Sequence, residues 1–80
     1  MLKGGEIMSA EIQKEIAYIV ACVSAFAIRR DIHPNEAFLY LHQHGGIAFL
    51  TEHYEIEHTL PFEDAIDDLE LVCLQEGISA

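Results

Sequence analysis

No lysine or arginine occurs after Arg30, although most of the 80-residue chain still follows it. All four basic residues, Lys3, Lys14, Arg29 and Arg30, lie before that point. Eleven acids come after it: Asp31, Glu36, Glu52, Glu55, Glu57, Glu63, Asp64, Asp67, Asp68, Glu70 and Glu76. The formal net charge is −10. Such a surface repels nucleic-acid phosphates and anionic lipid headgroups, which argues against nucleic-acid and membrane partners. It attracts a basic protein face, and it also keeps a small protein dispersed.

Other absences narrow the chemistry. The chain has only two cysteines, Cys22 and Cys73, both inside apolar runs, with no C-x-x-C. They are expected to be reduced core thiols of a cytoplasmic protein. No glycine-rich phosphate loop is present; Gly45-Gly46 reads as a turn. The most apolar run, residues 16–28 (IAYIVACVSAFAI), falls short of the about twenty residues a bilayer span needs. It lacks a basic region close before it and a cleavage site after it, so it is not a signal peptide either.

What is present reads as helix. Ser9 is a fair N-cap, and Ile12, Ile16, Ile19, Val23 and Phe26 follow at alternating four- and three-residue steps. Tyr18, Cys22 and Ala25 widen that stripe, so this first helix is expected to be long and largely buried. Arg29 and Arg30 suit its last turn. Pro34 and Glu36 open a second helix with His33 in the N-cap slot, running to about His44, with Ala37, Phe38 and Leu41 inward. A third, residues 47–54, places Ile47, Leu50 and Tyr54 on one face. Residues 55–60 read as a connector. Pro61 is expected at the first position of a fourth helix whose inner face is Phe62, Ile66, Leu69, Val72 and Cys73, with Gly77 as C-cap. The expectation is an all-α fold: a compact small domain of four helices over residues 9–77, with a tail at 78–80.

Residues 1–8 (MLKGGEIM) carry adjacent glycines and no periodicity, and read as leader or disordered N-terminus. Lys-Gly-Gly-Glu can be encoded by a purine-rich ribosome-binding sequence, with Met8 at start-codon distance. Translation is therefore expected to begin at Met8, in a bacterium.

The densest chemistry is residues 51–70 (TEHYEIEHTLPFEDAIDDLE), with two histidines and eight carboxylates. His53 and His58 are five apart, and His42 and His44 two apart. Neither spacing suits two ligands on one helix face, so no metal site is expected. The hydroxyls and thiols (Ser9, Ser24, Thr51, Thr59, Cys22, Cys73) lack an activating base or cation, so no catalytic residue and no cofactor is expected. Glu63/Asp67 and Asp64/Asp68 lie four apart as ordinary surface acids. Glu63, Asp64, Asp67 and Glu70 are the candidate partner-binding residues. His58 is expected to fill the corner before the last helix and hydrogen-bond a backbone carbonyl or carboxylate, and Thr59 to help cap that helix.

Residues 33–41 (HPNEAFLYL), 46–50 (GIAFL), 54–59 (YEIEHT) and 62–69 (FEDAIDDL), in that order, resemble a family of short bacterial proteins known as domain of unknown function 3791. The most telling match is Tyr54, His58 and Thr59 followed by Ala65, Asp68 and Leu69. Tyr54, His58, Thr59 and Asp68 are the expected structural corner. The resemblance implies a small helical protein without assigned activity. It also implies a neighbour similar to ADP-ribosyltransferases, in an arrangement like a toxin and its neutralising partner. Where the family tends to have serine caps, this chain has His33 and Leu60-Pro61. The functional expectation is a protein-interaction module. The alternatives are a structural homodimer whose first helix packs on its copy, or a metal-responsive module using the histidines.

Overall fold

A computed structural model describes residues 9–79, and side chains through residue 74. The described residues form helices and turns only: α1 (Ala10–Arg30), α2 (Pro34–Gln43), α3 (Gly46–Glu52), α4 (Tyr54–Glu57) and α5 (Phe62–Ser79). The long first helix and the all-α class are as expected, with five helices in place of four. The difference arises at His53, where the chain leaves the α-helical region and starts a separate short turn. The stretch read as a connector therefore contains α4.

Local chemistry explains most boundaries. The Ser9 hydroxyl accepts a hydrogen bond from the Ile12 N–H at 3.1 Å and caps α1. α1 ends where Asp31 turns left-handed (φ 57°) and its N–H reaches the carbonyls of Ala27 and Ile28. Pro34 opens α2, and the Glu36 carboxylate accepts from the His33 N–H at 3.2 Å. Gly45 takes φ 81°, a conformation natural to glycine, and starts α3. Pro61 sits one position earlier than expected: α5 begins at Phe62, and the Pro61 carbonyl accepts from the N–H groups of Asp64 and Ala65. Gly77 does not cap α5, which continues to Ser79.

The core joins Cys22, Val23, Phe26 and Ala27 of α1 to Ala37 and Leu41 of α2, Leu50 of α3, and Ile66, Leu69 and Cys73 of α5. Both cysteines are buried core thiols. α1 and α5 run in the same sense, with Tyr18 beside Phe62 at one end and Arg30 beside Glu70 at the other.

Burial of α1 is narrower than its apolar sequence implies. Its buried residues are Cys22, Val23, Phe26 and Ala27, with Tyr18 and Ile19 partly covered, while Ile12, Ile16, Val20 and Ile28 lie exposed. The reason is length and offset: α2 and α3 are short, and α5 begins only at the level of Tyr18, so the first turns of the 21-residue α1 extend beyond their neighbours. Phe38 and Phe62, expected inward, are exposed as well. Ala37 and Leu41 fill the site assigned to Phe38, and Ala65 and Ile66 do the same beside Phe62.

Candidate functional site

α5 carries the candidate partner residues, and the structure divides them. Asp67 accepts a hydrogen bond from Arg29 at 2.7 Å, and Glu70 accepts one from Arg30 at 3.0 Å. Glu70 also lies 3.8 Å from Arg29. The chain's two late cations are thus committed to holding the end of α1 against α5. Arg30 is fixed further by the rings of Phe26 and Tyr40, 4.9 and 5.2 Å from its guanidinium carbon. Glu63 and Asp64 are exposed in the first turn of α5 and form no ion pair among the described residues. Acids there also suit the positive end of the helix dipole.

The same outward face continues into two leucines. At 100° per residue, Glu63, Asp64, Asp67, Leu71 and Leu74 share one arc of α5, opposite Ala65, Ile66, Leu69 and Cys73. Leu71 and Leu74 are 57 % and 59 % exposed. They border a shallow depression of about 440 Å³ whose other walls are Arg29, Arg30, Tyr40, Asp67 and Glu70. This face presents acids first and apolar anchors one turn later. Sequence reading found the acids but not the leucines, although their four- and three-residue steps from Asp67 are visible in the sequence.

The second constellation is the corner around α4. The His58 ring stacks on Tyr54 (centroids 4.4 Å apart, planes within 10°), and its Nδ1–H donates to the Tyr54 carbonyl at 2.7 Å. The ring lies exposed on the helical turn and does not fill the corner. Thr59 donates to the Ile56 carbonyl at 2.7 Å, closing the end of α4 instead of capping α5. Tyr18 fills the corner, meeting Tyr54, His58 and Phe62 edge-on at 5.5 to 6.5 Å.

Beneath those rings lies a polar cluster that sequence reading missed. Glu57 is only 5 % exposed, and its Oε1 has no hydrogen-bond partner. The Asp68 carboxyl lies within hydrogen-bonding reach of it. Two carboxylates can only accept, so that contact becomes a hydrogen bond only when one of them holds a proton. Burial and Asp68 together push Glu57 up to about 7 from the usual 4.5. The Tyr18 hydroxyl is also buried, with the Cys22 thiol as its neighbour, and burial raises both the Tyr18 phenol and the Cys22 thiol. Glu57 is one acid among many in the sequence, and nothing local distinguishes it.

Four of the five histidines follow one rule. His42, His44, His53 and His58 each lie against the aromatic ring four residues earlier: Phe38, Tyr40, Phe49 and Tyr54. Four-residue spacing makes such rings neighbours on a helix. Each imidazole is therefore turned toward its own ring. Among the described residues no three His, Cys, Asp or Glu side chains are placed to hold a metal ion. No helix among them is long and apolar enough to cross a membrane.

A sequence model of the family described as "Protein of unknown function (DUF3791)" matches residues 17–76, and the chain belongs to that family. No curated protein and no solved structure matches it.

Proposed function

We propose that this member of the domain of unknown function 3791 family is a small cytoplasmic protein-interaction module that engages a basic partner through the outward face of α5. The observation that carries the reading is the pairing on that face of exposed acids with two exposed leucines, Leu71 and Leu74. Apolar anchors supply the affinity of an interface, and a charged rim speeds and orients encounter. Glu63 and Asp64 steer, because no cation among the described residues occupies them; Asp67 and Glu70 contribute less, being neutralised in part by Arg29 and Arg30.

In this reading the module has no catalytic role. Buried Glu57, with half-buried Asp68 beside it, does not line the depression on α5 described above, and in this reading the two serve the corner. The family resemblance supports a narrower version, in which the partner is an ADP-ribosyltransferase-like protein neutralised or regulated by this chain. Purification of the tagged protein from its own host, with mass spectrometry of what accompanies it, tests both levels. One stoichiometric partner released by moderate salt is expected. A partner of another kind would end the narrower version, and recovery of the protein without any other chain would end the broader one.

A further inference from the structure

α4 is seated in the protein by an acid. It is a single turn, Tyr54–Glu57, with the chain leaving helical geometry at His53 before it and turning through residues 58–60 after it. Of its four residues only Glu57 is buried, a place acids rarely take unless paired. The backbone hydrogen bonds that close the turn are local: Glu57 N–H to the His53 carbonyl at 2.8 Å, His58 to Tyr54 at 3.0 Å and Leu60 to Glu57 at 3.1 Å. What ties it to α1 and α5 is the Tyr54 ring against Tyr18 and the Glu57 carboxyl beside Asp68. The hydrophobic core draws no residue from α4, so α4 can leave without opening it.

The titratable groups facing Glu57 are Tyr18 and Cys22 of α1 and Asp68 of α5. None is a cation, and Arg29 and Arg30 are held by Asp67 and Glu70 instead. Glu57 Oε1 is left without a hydrogen-bond partner. Two carboxyl groups in contact without a cation hold together by sharing a proton. Closed, the corner keeps that proton, with Glu57 pushed up to about 7. Open, Glu57 meets water, where an ordinary glutamate releases its proton near 4.5. Opening is therefore coupled to proton loss, and rising pH favours it.

We propose that the Glu57–Asp68 contact is a proton-operated latch, whose release lets α4 swing from the body while the core of α1, α2, α3 and α5 stays folded. α4 also supplies walls to two surface depressions. One, of about 500 Å³, is shared with Glu11, Lys14 and Glu15 of α1; the other, of about 350 Å³, with Glu15 and Glu52. Release of the latch remodels both and does not involve Leu71 or Leu74.

Native-state hydrogen exchange of the full chain at pH 5, 6 and 7, with each amide rate divided by its unstructured rate at that pH, tests the latch. At pH 7 the amides of Glu57, His58 and Leu60 are expected to be at least about tenfold less protected than those of Phe26, Leu41 and Leu69. Between pH 5 and pH 7 their protection is expected to fall at least about tenfold, because opening gains up to about tenfold per pH unit while only the closed corner holds the proton. Glu57→Gln has no proton to lose and is expected to abolish that fall. The new amide of Asp68→Asn can donate to the Glu57 carboxylate and is expected to shrink it. Asp68 is half-buried, so this second variant decides the matter if Glu57→Gln loses helicity. Histidines also change charge near neutral pH, but His58 is retained in both variants. A fall that persists undiminished in a folded variant therefore overturns the proposal. So does a wild-type α4 as protected as the core at pH 7, or one whose protection does not change with pH.

Discussion

Replacing Glu57 by Gln should change how stability depends on pH more than it changes the fold. Glu57 is buried beside Asp68 and held near 7, where an ordinary glutamate titrates near 4.5. Between those two values the folded chain keeps a proton that the unfolded chain has released. The folded state then binds more protons than the unfolded state, so stability falls as pH rises through that window. Below the window both states are protonated and the penalty is absent; above it the penalty is complete. The distance from 4.5 to about 7 is worth roughly 3 kcal/mol. That is a large part of the stability of a small domain, which is about 5–15 kcal/mol. The amide of Glu57→Gln is neutral at every pH and can donate to Asp68, so it removes this slope. Urea unfolding of both proteins at several pH values measures the effect. The variant's advantage over the wild type is expected to widen by roughly 3 kcal/mol between about pH 4 and pH 8. Two parallel stability curves would refute the buried-proton account of the corner.

Three further substitutions probe the scaffold. In Gly46→Ala, the new Cβ would lie 2.8 Å from Leu41 Cδ2 and 3.3 Å from the Leu41 carbonyl oxygen, inside the core. A loss of about 1–3 kcal/mol is expected in denaturant unfolding, as for other overpacked sites. Asp31→Gly relieves a left-handed residue at the end of α1 and should raise stability by up to about 1 kcal/mol, read as a higher urea midpoint. His58→Ala removes a stacked ring and one hydrogen bond at an exposed site, so a loss of about 0.5–1.5 kcal/mol with partner capture intact is expected. Unchanged melting with lost capture would instead make His58 a contact residue.

The parts of the fold legible in the sequence are those set by local chemistry. Ser9, Pro34 and the Gly45-Gly46 turn announce helix boundaries through hydrogen bonds or backbone freedom within four residues. The inner faces of α2, α3 and α5 follow from periodicity, and Leu41, Leu50, Ile66, Leu69 and Cys73 are buried as that periodicity requires. Periodicity says which face of a helix is apolar, not what covers it. Ile12 and Ile16, in the first turns of α1, are therefore expected inside, and they lie outside.

The site was less legible for the same reason. The joining of Arg29 and Arg30 to Asp67 and Glu70 spans about forty residues of sequence, and only the packing of α1 on α5 creates it. Glu57 is buried because α4 forms where a connector was expected, turning one acid of an acidic stretch inward. The aromatic residue four positions before each of His42, His44, His53 and His58 was visible in the sequence. That spacing is the sequence signal for the ring contacts seen in the structure.

The central claim is that the acid-and-leucine face of α5 is a binding surface. Its most direct test is capture from the native host by the wild type and by a chain carrying both Leu71→Glu and Leu74→Glu, with the partner quantified per mole of bait. Both leucines are exposed, so the double variant should melt like the wild type. The account predicts a salt-sensitive partner that the wild type retains and the double variant loses. Equal capture by both chains would contradict it.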